Sequence, residues 1–279
     1  MNGEIALSLS LVAYANAFLQ GEDVAFDRNH STAKFCKFIE FIEIPGGVDS
    51  LTDRIILAED PISWFRLLKK QGVEYVLLHY YSSENSVLSD RISSTFSGGG
   101  GRWVIEAVKD NASDLWEAGW LVGSSKGDRI WEVYYILFSK DCNRPDYDYP
   151  AMDEVYEILR QCLNEIYNFA LSHVSTAHFA KYYQQCIEFL SSENPFENFD
   201  ILPDGYILRA QQLVRACYTS WLFGGMGSWN DIVFEDDITQ QMYNKVSDNL
   251  YIAICIAIVV AVNSFVQNLL QVSCYRLER

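Results

Sequence analysis

Positive charge is what this sequence has least of. It holds 21 Lys plus Arg against 37 Asp plus Glu, a formal charge of −16. Phosphate recognition needs clustered cations, so this balance argues against nucleic acid and anionic membrane surfaces as direct ligands. It suits a basic partner, or simply solubility. Histidine is scarce as well. Of the four, His173 and His178 are five residues apart and do not share a helix face as an i,i+4 zinc pair does. His79 falls on the strand face of Tyr75 and Leu77 and reads as a core or rim histidine rather than a base. The seven cysteines form no CxxC pair and no His/Cys cluster, so they read as free thiols in a reducing cytosol.

Catalytic signatures are missing too. There is no G-x-S-x-G elbow, and the nearest approach, Gly225 to Ser228, has the wrong spacing. Cys217 sits on an apolar face four residues before Trp221 and reads as a small hydrophobe. Carboxylates abound, yet no spacing singles out an acid–base pair. No metal or cofactor is expected. Long apolar runs are also lacking. The longest, Leu250 to Val262, gives way to Asn263, Ser264, Gln267, Asn268 and Gln271. A bilayer span needs about 20 mainly apolar residues, so a buried central helix is the better expectation. The N-terminal stretch carries Glu4 where a signal peptide would carry a basic residue, and none is expected.

What is present is periodic. Residues 4–12 alternate Ile5, Leu7, Leu9 and Leu11 with Ala6, Ser8 and Ser10, a strand period, although the AYANAFL that follows pulls toward helix. Residues 35–44 read as a strand, and 61–71 as a helix capped by Asp60 and stopped at Gly72. Residues 73–81 form another strand. Four glycines, Gly98 to Gly101, mark a loop that is either flexible or closely approached by other groups. Strands at 103–107, 115–122 and 130–138, joined by short polar links, predict an antiparallel meander. The third is apolar on both faces, which predicts a central strand covered on both sides. Past Asp141 every periodic segment is helical: 155–169, 179–190, 207–221 and 236–273. Strands first and helices after give an α+β fold. The expectation is one domain over 1–279, sheet-rich over 1–140 and helix-rich over 150–279, with a mainly antiparallel sheet packed on a helical layer that holds one long buried helix.

Acid is concentrated late in the chain. Between Lys181 and Lys245 the only basic residues are Arg209 and Arg215, while nine acids lie in the same interval. Such unopposed charge speeds encounter with a cationic protein, although the same residues also fit a solvated helical surface. With interleaved aromatics, the expected partner-binding residues are Glu193, Glu197, Asp200, Trp229, Asn230, Asp231, Glu235, Asp236 and Asp237. The stretch WLFGGMGSWND, Trp221 to Asp231, resembles a motif of bacterial proteins similar to the immunity proteins of polymorphic toxin systems. The resemblance implies a role and not a structure: a non-enzymatic cytosolic inhibitor that binds and occludes a cognate basic toxin. The alternative is an enzyme whose site joins the turns Gly98–Arg102 and Gly224–Asp231, with Asp231, Arg102 and a histidine in one pocket.

Overall fold

The computed structural model describes residues 1–45, 51–83, 88–123, 127–144, 147–197 and 199–277, with side chains described as far as residue 266. The first element corrects the strand expectation. Helix α1 spans Gly3–Leu19, with the Asn2 side chain accepting from the Glu4 N–H at 2.9 Å. Every residue from Ile5 to Ala17 is buried. The residues between the leucines are alanine and serine, which are small enough to bury, so their alternation marks no solvent face. The serines find partners inside: Ser8 bonds the Tyr135 hydroxyl and Ser10 donates to the Ile201 carbonyl, each at 2.9 Å.

The sheet has six strands: β1 (Cys36–Glu43), β2 (Ile55–Ala58), β3 (Tyr75–Tyr81), β4 (Arg102–Val108), β5 (Ser113–Val122) and β6 (Trp131–Cys142). Their order is β2-β1-β6-β5-β4-β3. The expected meander is there and takes in β3, because β3 to β6 pair antiparallel in succession. β1 adds a parallel pair with β6, which makes the sheet mixed. β6 is interior, but its second face is only partly covered. Tyr134 is buried there while Phe138 is 42% exposed. Helix α2 (Pro61–Lys70) is capped by Asp60 and followed by Gly72 at φ +74, as its sequence predicts.

β3 ends the sheet, and two asparagines stand in for the strand it lacks. The Asn16 amide on α1 exchanges two 2.8 Å bonds with the Val76 backbone. Asn263 does the same for Leu78 at 2.9 Å. Val76 and Leu78 are alternate residues, so their free N–H and C=O groups point the same way, away from β4. An amide side chain presents the donor–acceptor pair that a neighbouring strand would.

After the one-turn helix α3 (Asp90–Ser93), the chain's remaining helices form the second layer: α4 (Met152–Ser172), α5 (Ala180–Phe189), α6 (Leu208–Ser220) and α7 (Asp237–Leu277). α7 packs on α4, α6, α1 and β3. It is long and apolar enough to cross a membrane by length and composition, and 78% of its apolar window is buried inside the protein. The architecture is α+β, and one apolar cluster runs through both layers, from Ile5 on α1 to Val262 on α7.

Candidate functional site

The turn after α6 is built by its own side chains. Gly227 has φ +81, a conformation that favours glycine. The Asp231 carboxylate accepts from the Gly227 and Ser228 N–H groups, and the Ser228 hydroxyl donates to the Gly224 carbonyl at 2.8 Å. Trp229 is fully buried among Phe179, Tyr183 and Tyr243, and its indole N–H donates to Ser247 at 2.7 Å. Asn230 accepts from Arg91 Nη1 at 2.7 Å and donates to the Arg91 carbonyl at 3.0 Å. This tie holds α3 and the segment leading to the first glycine-rich turn against the second. Of the two readings left open for the first, the close approach is the one found: the Tyr251 hydroxyl donates to the Gly100 carbonyl at 2.6 Å, and a Cβ on Gly101 would stand 2.5 Å from the Tyr80 ring. Trp229 and Asn230 therefore shape the turn, and Trp229 is closed off from any partner.

The acids are a different matter. Asp231, Glu235, Asp236 and Asp237 are exposed. Asp236 caps α7, and its bonds from the Thr239 N–H and side chain hold its carboxyl below the ordinary value. Four large apolar side chains are exposed in the same stretch: Met226 completely, Val233 at 81%, Ile238 at 74% and Met242 at 54%. Glu193, Glu197 and Asp200 are exposed too, but they stand before α6 and not after it. Asp200 accepts from the Ser31 N–H at 3.0 Å beside His30, while Asp231 closes its own turn next to Asn230 and Arg91. Asp200 and Asp231 thus have different neighbours. Near the earlier group, Asp200, Asp204, Glu22 and Asp23 line a cavity of about 490 Å³ with Tyr14 and Phe199. Burial works against charge on Asp200, yet the Ser31 bonds and nearby His30 hold its carboxyl below the ordinary value. Among the described residues, no Lys or Arg pairs with Glu193, Glu197, Asp200, Asp231, Glu235, Asp236 or Asp237.

No family model, curated protein or solved structure matches this chain.

The groups required by the enzymatic alternative are engaged separately. Arg102 pairs with Glu117 at 2.8 Å, and Asp231 closes its turn. His79 is completely buried on the outer face of the sheet. Its Nε2 lies 2.8 Å from Glu106 and its Nδ1 2.8 Å from the Tyr149 hydroxyl. Because a carboxylate only accepts, the ring proton sits on Nε2, and Nδ1 accepts from Tyr149. Ser113 donates to the other Glu106 oxygen, and Tyr147 stacks on the imidazole at 3.6 Å. Burial lowers the His79 pKa from its ordinary 6.5 against the pull of Glu106, so the ring is neutral at pH 7. Burial also opposes charge on Glu106, but the His79 and Ser113 bonds keep its carboxyl below the ordinary range. The chain Tyr149–His79–Glu106–Ser113 fastens residues 147–149 over the sheet. Positions 79, 106, 113 and 149 share no spacing that marks them in sequence, and only the β3–β4 pairing brings the first two together. Among the described residues, no three His, Cys, Asp or Glu side chains are grouped to hold a metal ion.

The exposed apolar side chains are the feature sequence reasoning missed. A signal was available: Ile238 and Met242 are spaced i,i+4, out of phase with the Tyr243–Leu250 stripe that α7 buries.

Proposed function

We propose that this is a non-enzymatic cytoplasmic binding protein that neutralises a cationic protein partner, the role of an immunity protein toward its toxin. One observation carries the reading. Met226, Val233, Ile238 and Met242 are exposed beside Glu235, Asp236 and Asp237, and no Lys or Arg neutralises those acids among the described residues. Apolar anchors inside a charged rim are the anatomy of a protein-binding face. A basic toxin domain that meets this face gains steering from the carboxylates and affinity from the apolar centre. Carboxylates laid over a nuclease site would take the place of substrate phosphates. The six described cysteines are all free thiols, which suits a reducing compartment.

The experiment is calorimetric titration of the purified protein with a basic toxin domain encoded beside its gene. The expected result is a tight complex whose affinity falls with added salt and falls about tenfold or more when Glu235 and Asp237 are both changed to lysine. No complex with any such toxin, or one indifferent to salt and to charge reversal, refutes the proposal.

A further inference from the structure

The two glycine-rich turns border a pocket of about 360 Å³. Trp120, Trp131, Trp221, Phe96 and Phe223 supply rings to its lining, and Glu4 is the one side-chain carboxylate there among the described residues. Glu4 is held in place by bonds from the Ser97 hydroxyl at 2.7 Å and the Gly98 N–H at 3.1 Å. Trp120 and Trp131 meet edge to face, 5.7 Å between centroids. Among the described residues, no Lys or Arg lines the pocket. The Met1 amine at its edge donates to the Tyr218 carbonyl, and burial pushes its pKa down to about 5, so it brings no charge at pH 7. The positive end of α1 disfavours a cation, and Glu4 in its first turn offsets that. Gly224 belongs to the lining, and the fully exposed Met226 follows two residues later. The pocket thus adjoins the face assigned to the partner.

We infer that this pocket receives one arginine side chain of the partner, its guanidinium against the tryptophan rings and paired with Glu4. The inference rests on the binding role proposed above. Aromatic rings with a single carboxylate favour a flat, delocalised and weakly hydrated cation. Guanidinium fits that description better than the compact, strongly hydrated ammonium of lysine. A neutral apolar side chain would leave the carboxylate unused.

The test needs no partner. N-acetyl-arginine N-methylamide is titrated into the ¹⁵N-labelled protein while the indole N–H signals of its seven tryptophans are followed, with assignment by single Trp→Phe variants. Trp120, Trp131 and Trp221 are expected to shift together and saturably, while Trp64, Trp103, Trp116 and Trp229 stay still. The neutral citrulline analogue should bind about tenfold more weakly, and Glu4→Gln should weaken the arginine probe about as much. Should Glu4→Gln not fold, the citrulline comparison on the wild-type protein decides alone. No saturable shift, equal response to citrulline, or the same response to the aspartate analogue overturns the inference. A partner complex that forms beside an unresponsive pocket refutes only the arginine site. A responsive pocket with no toxin partner refutes only the proposed function.

Discussion

Replacing Asn263 by leucine should cost far more than its polar character suggests. The residue is 4% exposed, and its amide satisfies both backbone groups of Leu78, itself fully buried. Leucine is close in size but bonds neither. Two buried backbone groups are left orphaned at about 1–3 kcal/mol each, giving a loss of about 2–6 kcal/mol. That is comparable with the whole stability of many domains, 5–15 kcal/mol being the general range. Urea unfolding measures the loss, and amide exchange locates it: protection should fall at Leu78 while Val76, held by Asn16, keeps more of its own. Asn263→Asp sharpens the test. Its carboxylate still accepts from the Leu78 N–H but faces the Leu78 carbonyl with no proton to give, which raises its folded pKa above the unfolded value. A raised pKa means stability that is present at low pH and lost as pH rises through the folded value. The deficit of the aspartate variant against the wild type should therefore shrink on acidification. A leucine variant within about 1 kcal/mol of wild type, or an aspartate deficit that ignores pH, would show that the amide is not replacing a strand.

Three further outcomes are expected. His79 and His30 are both buried with pKa values lowered below 6.5, so only the unfolded chain takes up their protons as pH falls below that value; stability should decline from there down to the folded values, and His79→Gln should flatten the decline, as urea melts across that window would show. Trp229→Ala, which empties the space among Phe179, Tyr183 and Tyr243, should cost about 3–5 kcal/mol in the same assay; a smaller loss would mean that the turn does not depend on it. Ile238→Ser and Met242→Ser alter exposed side chains and should leave stability within about 0.5 kcal/mol, while a toxin complex, measured by calorimetry, weakens more than tenfold.

Local signals carried much of the architecture. Asp60, Pro61 and Gly72 bracket α2 because capping, first-turn and left-handed positions each demand particular residues. The strands from 102 to 142 follow from alternation and short polar links. Where both phases of an alternation bury, the period says nothing, and α1 is that case. The parallel pairing of β1 with β6 joins segments far apart in sequence and has no local signature. The site was half legible. Acid surplus is additive along a chain and visible at once, but the neighbours each acid meets are not: Asp200 meets Ser31 and His30, and Asp231 closes its own turn. Trp229 looked like an anchor because it neighbours glycines and acids, yet an indole with a donor to satisfy found both space and a partner inside, at Ser247. Asn263 looked like an interruption of the apolar run and is instead the group that joins α7 to the sheet.

The packing of α1 against α7 also sets a schedule for biosynthesis. Helix α1, whose residues Ile5 to Ala17 are all buried in the fold, leaves the ribosome before its cover is complete, because α7 begins only at Asp237. Roughly two hundred residues must be translated in between, which takes on the order of 10 to 40 s at ordinary elongation rates. Throughout that interval the nascent chain carries a sticky, uncovered α1, a target for holdase chaperones and for proteases, until α7 is made and covers it.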